Sequence, residues 1–288
     1  MRAQTAMKGQ AAMRAPTRVA ATPRPKRLPG RPVILLLQAL VLIGFFLLWH
    51  VLTATNLLSP FFFGTPLAVL ERTWKDFAGG AIWYHLSITL LETLLAFVIG
   101  TVAGIVFGFW FARAPLVSAV FDPYIKAANA LPRVVLAPIF MLWLGLGIWS
   151  KVALGVTLVF FIVFFNVYQG VKEVSPVVLA NARMLGANSR DLLRHVYLPS
   201  ALAWVFSSLH TAVGFAMVGA VVGEYLGSAA GLGYRIHQAE GVFDTVGVFS
   251  GMLVLTIFVV VIDSAVTVIE KRLLHWRPQE AHTTGAQG

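Results

Sequence analysis

The 288-residue chain is 58% hydrophobic and only 12% charged, with a mean hydropathy of +0.80, which excludes an ordinary water-soluble domain. The formal charge of +10 does not argue for a nucleic-acid partner, because eight of the 22 basic residues (Arg2, Lys8, Arg14, Arg18, Arg24, Lys26, Arg27 and Arg31) precede the first apolar run with no acid among them. Cysteine is absent, which removes disulfides, thiolate metal sites and cysteine nucleophiles.

In chain order, residues 1–32 read as a basic, disordered tail. The run from Val33 to Leu52 is longer than a signal-peptide core and is followed by no small-residue cleavage site, so it reads as a retained span. A helix needs about 20 mainly apolar residues to cross the hydrocarbon core. Six runs meet that demand: Val33–Leu52, Ile88–Ala112, Val134–Ser150, Val152–Gly170, Leu202–Leu226 and Thr245–Ile269. The third is short and carries Pro138, Gly145 and Gly147, so it is either broken or begins earlier, near Pro115. Between the first two runs, Thr65 followed by Pro66 opens a short amphipathic helix that lies at the outer surface.

Lysine and arginine set the orientation, since basic residues are retained on the cytoplasmic side. With the N-terminus inside, sixteen basic residues fall on the cytoplasmic side. Four (Arg72, Lys75, Lys151 and Arg235) fall outside, and Lys126 and Arg133 stay unassigned. Both termini are therefore expected in the cytoplasm, with residues 33–270 as the membrane domain and 271–288 as a C-terminal tail.

The loop 171–200, VKEVSPVVLANARMLGANSRDLLRHVYLPS, is the most informative stretch. Ser175 caps a helix that begins at Pro176, and Gly186 supplies its C-terminal turn. Asn188 opens a second helix, with Asp191 placed to complete a capping box, and Pro199 starts the fifth span. From the residues alone this helix pair is either a docking lever or a solvated connection.

The loop resembles the signature loop of bacterial ABC-importer permeases: Glu-Ala-Ala, a Gly four residues after the last Ala, nine residues, then Ile-x-Leu-Pro. Ala182, Gly186, Leu198 and Pro199 match. Val196 replaces Ile, and Ala180 and Asn181 stand where the pattern has Glu and Ala. Leu131–Lys151 and Val221–Ile236 are similar to the permeases of nitrate, sulfonate and taurine uptake. The resemblance implies an all-α polytopic bundle of about six transmembrane helices with the ABC-importer permease (MetI-like) architecture, in a bacterial inner membrane. It also implies a permease homodimer, two cytoplasmic ATPase subunits, an extracytoplasmic solute-binding protein, and no cofactor. Ala182, Arg183, Gly186, Ala187 and Asp191 would then lie at or beside the ATPase contact. The chain has no GxxxxGK[ST] phosphate loop of its own.

Two glycine series, Gly100, Gly104, Gly108 and Gly219, Gly223, Gly227, flatten one face each of the second and fifth spans for helix packing. Ionisable residues at membrane depth are costly, which makes Glu92, His210, Glu224 and Asp263 candidates for the pathway or its gate. Glu92 and Asp263 also fit span ends within reach of headgroups, and His210 fits a hydrogen-bonded core position. Glu224 is expected to pair with Arg133 or Arg235. Arg133 reads as an interfacial anchor, or alternatively as a contact for a planar oxyanion. The competing function is a stand-alone secondary transporter or channel. An enzyme is disfavoured, as HExxH, GxSxG and cysteine are all missing.

Overall fold

The computed structural model describes residues 30–273, and every regular element among them is helical. The expected tails at 1–32 and 271–288 lie outside the described residues, apart from residues 30–32 and 271–273. In order the helices are α1 (Arg31–Ala54), α2 (Pro60–Phe63), α3 (Pro66–Ala78), α4 (Ala81–Arg113), α5 (Pro115–Ala130), α6 (Ala137–Leu144), α7 (Ile148–Lys172), α8 (Pro176–Met184), α9 (Ser189–Leu192), α10 (Leu198–Leu226), α11 (Leu232–Gly241) and α12 (Thr245–Leu273).

The described residues form two units, one up to residue 48 and one from residue 49 onward. In the first, α1 presents Leu36, Leu40, Val41 and Phe45 openly, as a helix solvated by lipid does. In the second, α7 is the central helix, with twelve of its residues buried, and it is seated between α4 and α10. Missing side chains make the seat. A Cβ on Gly100 would lie 2.7 Å from that of Val159, and one on Gly104 would lie 2.7 Å from that of Val163. Gly108 faces Phe164 and Val167. On the other side Gly219 meets the backbone of Gly155, while Gly223 meets Lys151. Gly227 lies instead against Met141 and Leu146. Such spacing lets backbones approach closely, and dispersion between them replaces the hydrophobic drive that lipid cannot provide.

The register of these contacts fixes direction. Numbers rise together along α4 and α7, so those helices run parallel, whereas α10 runs antiparallel to α7. The chain between Arg113 and Ile148 must therefore return from one end of the bundle to the other. It does so as a broken crossing: α5, then a 3₁₀ turn at Arg133–Leu136 and α6, with an 85° bend between the halves. Among the described residues five helices are long and apolar enough to span a membrane, and the bent pair, taken as one crossing, adds a sixth.

The third span is broken and starts at Pro115, both of which the sequence allowed; its end is corrected, since its helix stops at Leu144 and Ser150 belongs to α7. The break follows from Pro132, which cannot donate a backbone N–H and disfavours helical backbone at Leu131; Leu131 is extended, with φ −65° and ψ 134°. As anticipated, α3 is amphipathic: Thr65 Oγ1 accepts from the Ala68 N–H at 3.4 Å. Pro66, Val69 and Thr73 are buried, while Leu67 and Trp74 are exposed.

The seating of α7 generates a direct test. Gly104→Ala forces a methyl group into Val163 and is expected to destabilise the fold by about 1–3 kcal/mol. Gly44→Ala, where nothing lies within 4 Å of the added methyl, is expected to be neutral or slightly stabilising. Thermal unfolding in detergent distinguishes the two.

Candidate functional site

The two ends of the bundle are built differently. At the end where α7 finishes, the loop to α10 folds from its own capping chemistry. Ser175 Oγ accepts from the Val177 N–H at 3.3 Å, and Pro176 follows without wasting a donor. α8 closes in a Schellman turn: Gly186 has φ +88°, its N–H donates to the Arg183 carbonyl, and the Ala187 N–H donates to the Ala182 carbonyl, each at 3.0 Å. Asn188 Oδ1 then accepts from the Asp191 N–H at 3.0 Å, and Asp191 Oδ2 accepts from the Asn188 N–H at 3.1 Å, a complete capping box.

The segment after Asn188 is not a separate helix. It runs from α9 through a π turn at Leu193–Tyr197 straight into α10. The wider turn sits just ahead of Pro199, which has no N–H to offer; the Leu198 N–H reaches back five residues to the Leu193 carbonyl. Val196, Leu198 and Pro199 thus belong to a continuous rod. Ser200 Oγ donates to the Gly170 carbonyl at 2.9 Å, which joins the loop's exit to its entry. No residue of α8 is buried, and Met184 and Leu185 are 79% and 89% exposed, with Val177 and Val178 also open. These side chains form an exposed apolar stripe on an otherwise polar loop.

At the opposite end a cluster of polar side chains is buried and bound to backbone groups. Three successive backbone N–H groups at the start of α11 point into side chains of other helices: Gly231 to His85 Nδ1 (3.1 Å), Leu232 to Thr89 Oγ1 (2.9 Å) and Gly233 to Glu224 Oε2 (2.7 Å). Thr89 in turn donates to Glu224 Oε1 at 2.6 Å. Helix termini attract anions, and here the anion is the chain's own carboxylate. Gly231, at φ +110°, leaves the space that this carboxylate fills, since a Cβ there would overlap it. Lys151 Nζ donates to the Leu146 and Gly147 carbonyls. Beyond this cluster, Arg235 donates to Asp76 Oδ1 at 2.9 Å, and Arg72 bridges toward Asp76 and Asp244. These four residues line a cleft of about 600 Å³.

The expected partners of Glu224 are therefore corrected. Arg235 is committed to Asp76. Arg133 lies at the bend, donating to the Asn129 carbonyl at 3.0 Å and to Asn129 Oδ1, with its guanidinium 4.4 Å over the Phe161 ring. Glu92 is not a span-end residue. The helix starts seven residues earlier than expected, which places Glu92 about 16 Å along α4, and it is buried. His210 Nδ1 lies 3.1 Å from Asp263 Oδ1. His210 and Glu224 sit about 21 Å apart along α10, so the structure does not unite the candidates Arg133, His210 and Glu224 in one pocket.

A polytopic bundle with a capped, unpartnered helix between two spans now has its counterpart among known proteins. Residues 100–275 match the family described as binding-protein-dependent transport system inner membrane component. The chain belongs to that family. The permease is 33% identical to the formylaminopyrimidine transport permease protein ThiX of Halalkalibacterium halodurans, over 84% of this chain and 98% of that one. It is 28% identical to the putative aliphatic sulfonates transport permease protein SsuC of Bacillus subtilis, over 94% and 98%. It is also 28% identical to the taurine transport system permease protein TauC of Escherichia coli, over 79% and 85%. The solved inward-facing MetNI methionine ABC transporter shares the fold, with TM-score 0.53 and 19% identity over 70% of the permease and 97% of that chain.

Sequence reasoning missed His85, Thr89 and Lys151 as parts of the buried cluster. A readable signal existed: Thr89, Glu92, Thr93, Ala96 and Gly100 recur at helical spacing, so one face of α4 is polar at one end and small at the other. Lys151 falls between the expected runs Val134–Ser150 and Val152–Gly170 and so reads as a residue of the outer connection. Thr89→Val removes both an acceptor and a donor and is expected to cost the permease about 1–3 kcal/mol. Thr93 is buried with its hydroxyl unpartnered, so Thr93→Val is expected to be neutral or to stabilise by about 1 kcal/mol. Unfolding measurements separate the two: Thr89→Val is expected to unfold more readily than the wild type, and Thr93→Val no more readily.

Proposed function

We propose that this permease provides the translocation pathway of an ATP-driven importer and is worked through α8 by a separate cytoplasmic ATPase. The observation that carries the reading is the exposed apolar stripe of α8, held by caps at both ends and joined to α7 and α10 without slack. Such a surface suits a groove on a soluble partner, and its rigid attachment suits the passage of motion into the spans. In this reading both termini and α8 face the cytoplasm, in keeping with the excess of basic residues on that side. Two copies of the chain form the pathway, two ATPase subunits dock below it, and an extracytoplasmic binding protein delivers solute at the α11 end. Ala182, Arg183, Gly186, Ala187 and Asp191 lie at or beside the docking contact, and the chain hydrolyses nothing itself.

The test is Gly186→Leu in the permease co-purified with its ATPase. A side chain at φ +88° strains the Schellman turn by about 1–2 kcal/mol and tilts α8 out of register. ATP-driven uptake into liposomes is expected to fall about tenfold or more, while thermal unfolding of the membrane domain is little changed. Full uptake by this variant would overturn the docking role. Uptake driven by an ion gradient in liposomes holding this chain alone would favour a secondary transporter instead.

For the solute, we infer a small organic or inorganic anion such as a sulfonate, taurine or nitrate. The support is Arg133: no carboxylate pairs with it among the described residues, and it sits at the 85° bend of a crossing. Its Nε is buried without a partner, and a guanidinium matches planar oxyanions in two-point contact. Arg133→Gln is expected to raise the KM for an anionic solute at least about tenfold, and Arg133→Lys to restore uptake only in part. An unchanged KM in both variants would return Arg133 to the role of an anchor.

A further inference from the structure

The cluster beneath α11 holds three ionisable side chains almost without solvent: Glu92 is 1% exposed, and Lys151 and Glu224 are 0% exposed. Their bonds are unequal. Glu224 has both oxygens in use, on Thr89 and on the Gly233 N–H. Lys151 is spent on two backbone carbonyls. Glu92 Oε2 has no hydrogen-bond partner at all. The Glu92 carboxyl lies against that of Glu224, and Lys151 is within Coulombic reach of both. Other titratable groups on the surrounding helices are already committed. His85 of α4 accepts from the Gly231 N–H, Tyr234 of α11 stacks on His85, and Arg235 of α11 is paired with Asp76.

Two carboxylates and one ammonium leave one negative charge over. In a low-dielectric interior an unbalanced charge is far more costly than a shared proton, and two adjacent carboxylates repel. A trapped water would satisfy Oε2 but would leave the charge in place. We propose that this cluster is a binding site for one proton, carried between Glu92 and Glu224. The proton turns two repelling acceptors into a donor and an acceptor, makes the cluster neutral with Lys151, and joins α4 to α10 directly under the start of α11. Glu92 is thus a positioning residue: through Glu224 it holds the loop before α11 in place. The inference does not depend on the ATPase reading, because it concerns only the opposite end of the bundle.

Infrared spectroscopy of the purified, full-length permease tests it. At neutral pH the wild type is expected to show a protonated carboxylic C=O band that shifts in D₂O. Glu92→Gln is expected to remove that band while leaving unfolding temperature close to wild type, because the amide N–H can donate to Glu224 as the acid O–H does. Lys151→Met removes the counter-charge, and the band is expected to grow as the second carboxyl takes up a proton. The absence of any protonated-carboxyl band in the wild type would overturn the proposal, and so would a band that persists unchanged in Glu92→Gln. If Lys151→Met does not fold, the Glu92→Gln comparison decides alone.

Discussion

Everything in the second unit depends on how closely α7 approaches its two neighbours. Gly100 and Gly104 on α4, and Gly219 and Gly223 on α10, leave room for Val159, Val163, Gly155 and Lys151. The result is three backbones in contact where lipid gives no reward for merely burying apolar surface. The close approach sets helix direction, and helix direction forces the segment between α4 and α7 to cross. The bend in that crossing is a consequence of Pro132, but the fact of crossing is a consequence of the glycines.

With those three helices fixed, the two ends acquire opposite characters. At one end α11 is tied to α4 and α10 by three backbone N–H groups and a buried carboxylate, so it has little freedom to swing as a lid. At the other end α8 is tied only at its roots. The Ser200–Gly170 hydrogen bond closes the loop on itself, and Trp204 packs into the space that Gly170 leaves open. α8 is therefore joined to α7 through Lys172 and to α10 through the continuous rod that begins at Ser189.

Much of this was legible in the sequence, and the legible part has a common cause. Spans, the α3 cap, the Gly186 turn and the Asn188–Asp191 capping box are all local. Each is decided by residues within about one turn of each other, where side chain and backbone chemistry leave few options. What escaped was long-range. Glu224 and Thr89 are 135 residues apart in the chain, and nothing near Glu224 announces that a threonine three spans earlier will occupy its carboxylate. Arg133 and Arg235, flanking spans, looked like better partners. Asp76, on a surface helix, had already taken one of them.

The misreading of Lys151 has the same origin and carries a physical lesson. A lysine read as lying between two spans is expected to face water or headgroups, because its ammonium is strongly hydrated. Here the rise of Gly223 toward the backbone of α7 opens a slot only on the inner side of the helix. The carbonyls of Leu146 and Gly147, just ahead of the first turn of α7, receive the ammonium there. Burial of that charge would be costly were it alone, and it is sustained because two carboxyls from α4 and α10 lie within reach. The glycine that allows the helices to meet and the charges that lie where they meet are therefore one device: neither Lys151 nor Glu92 could be buried unless α4, α7 and α10 were already this close.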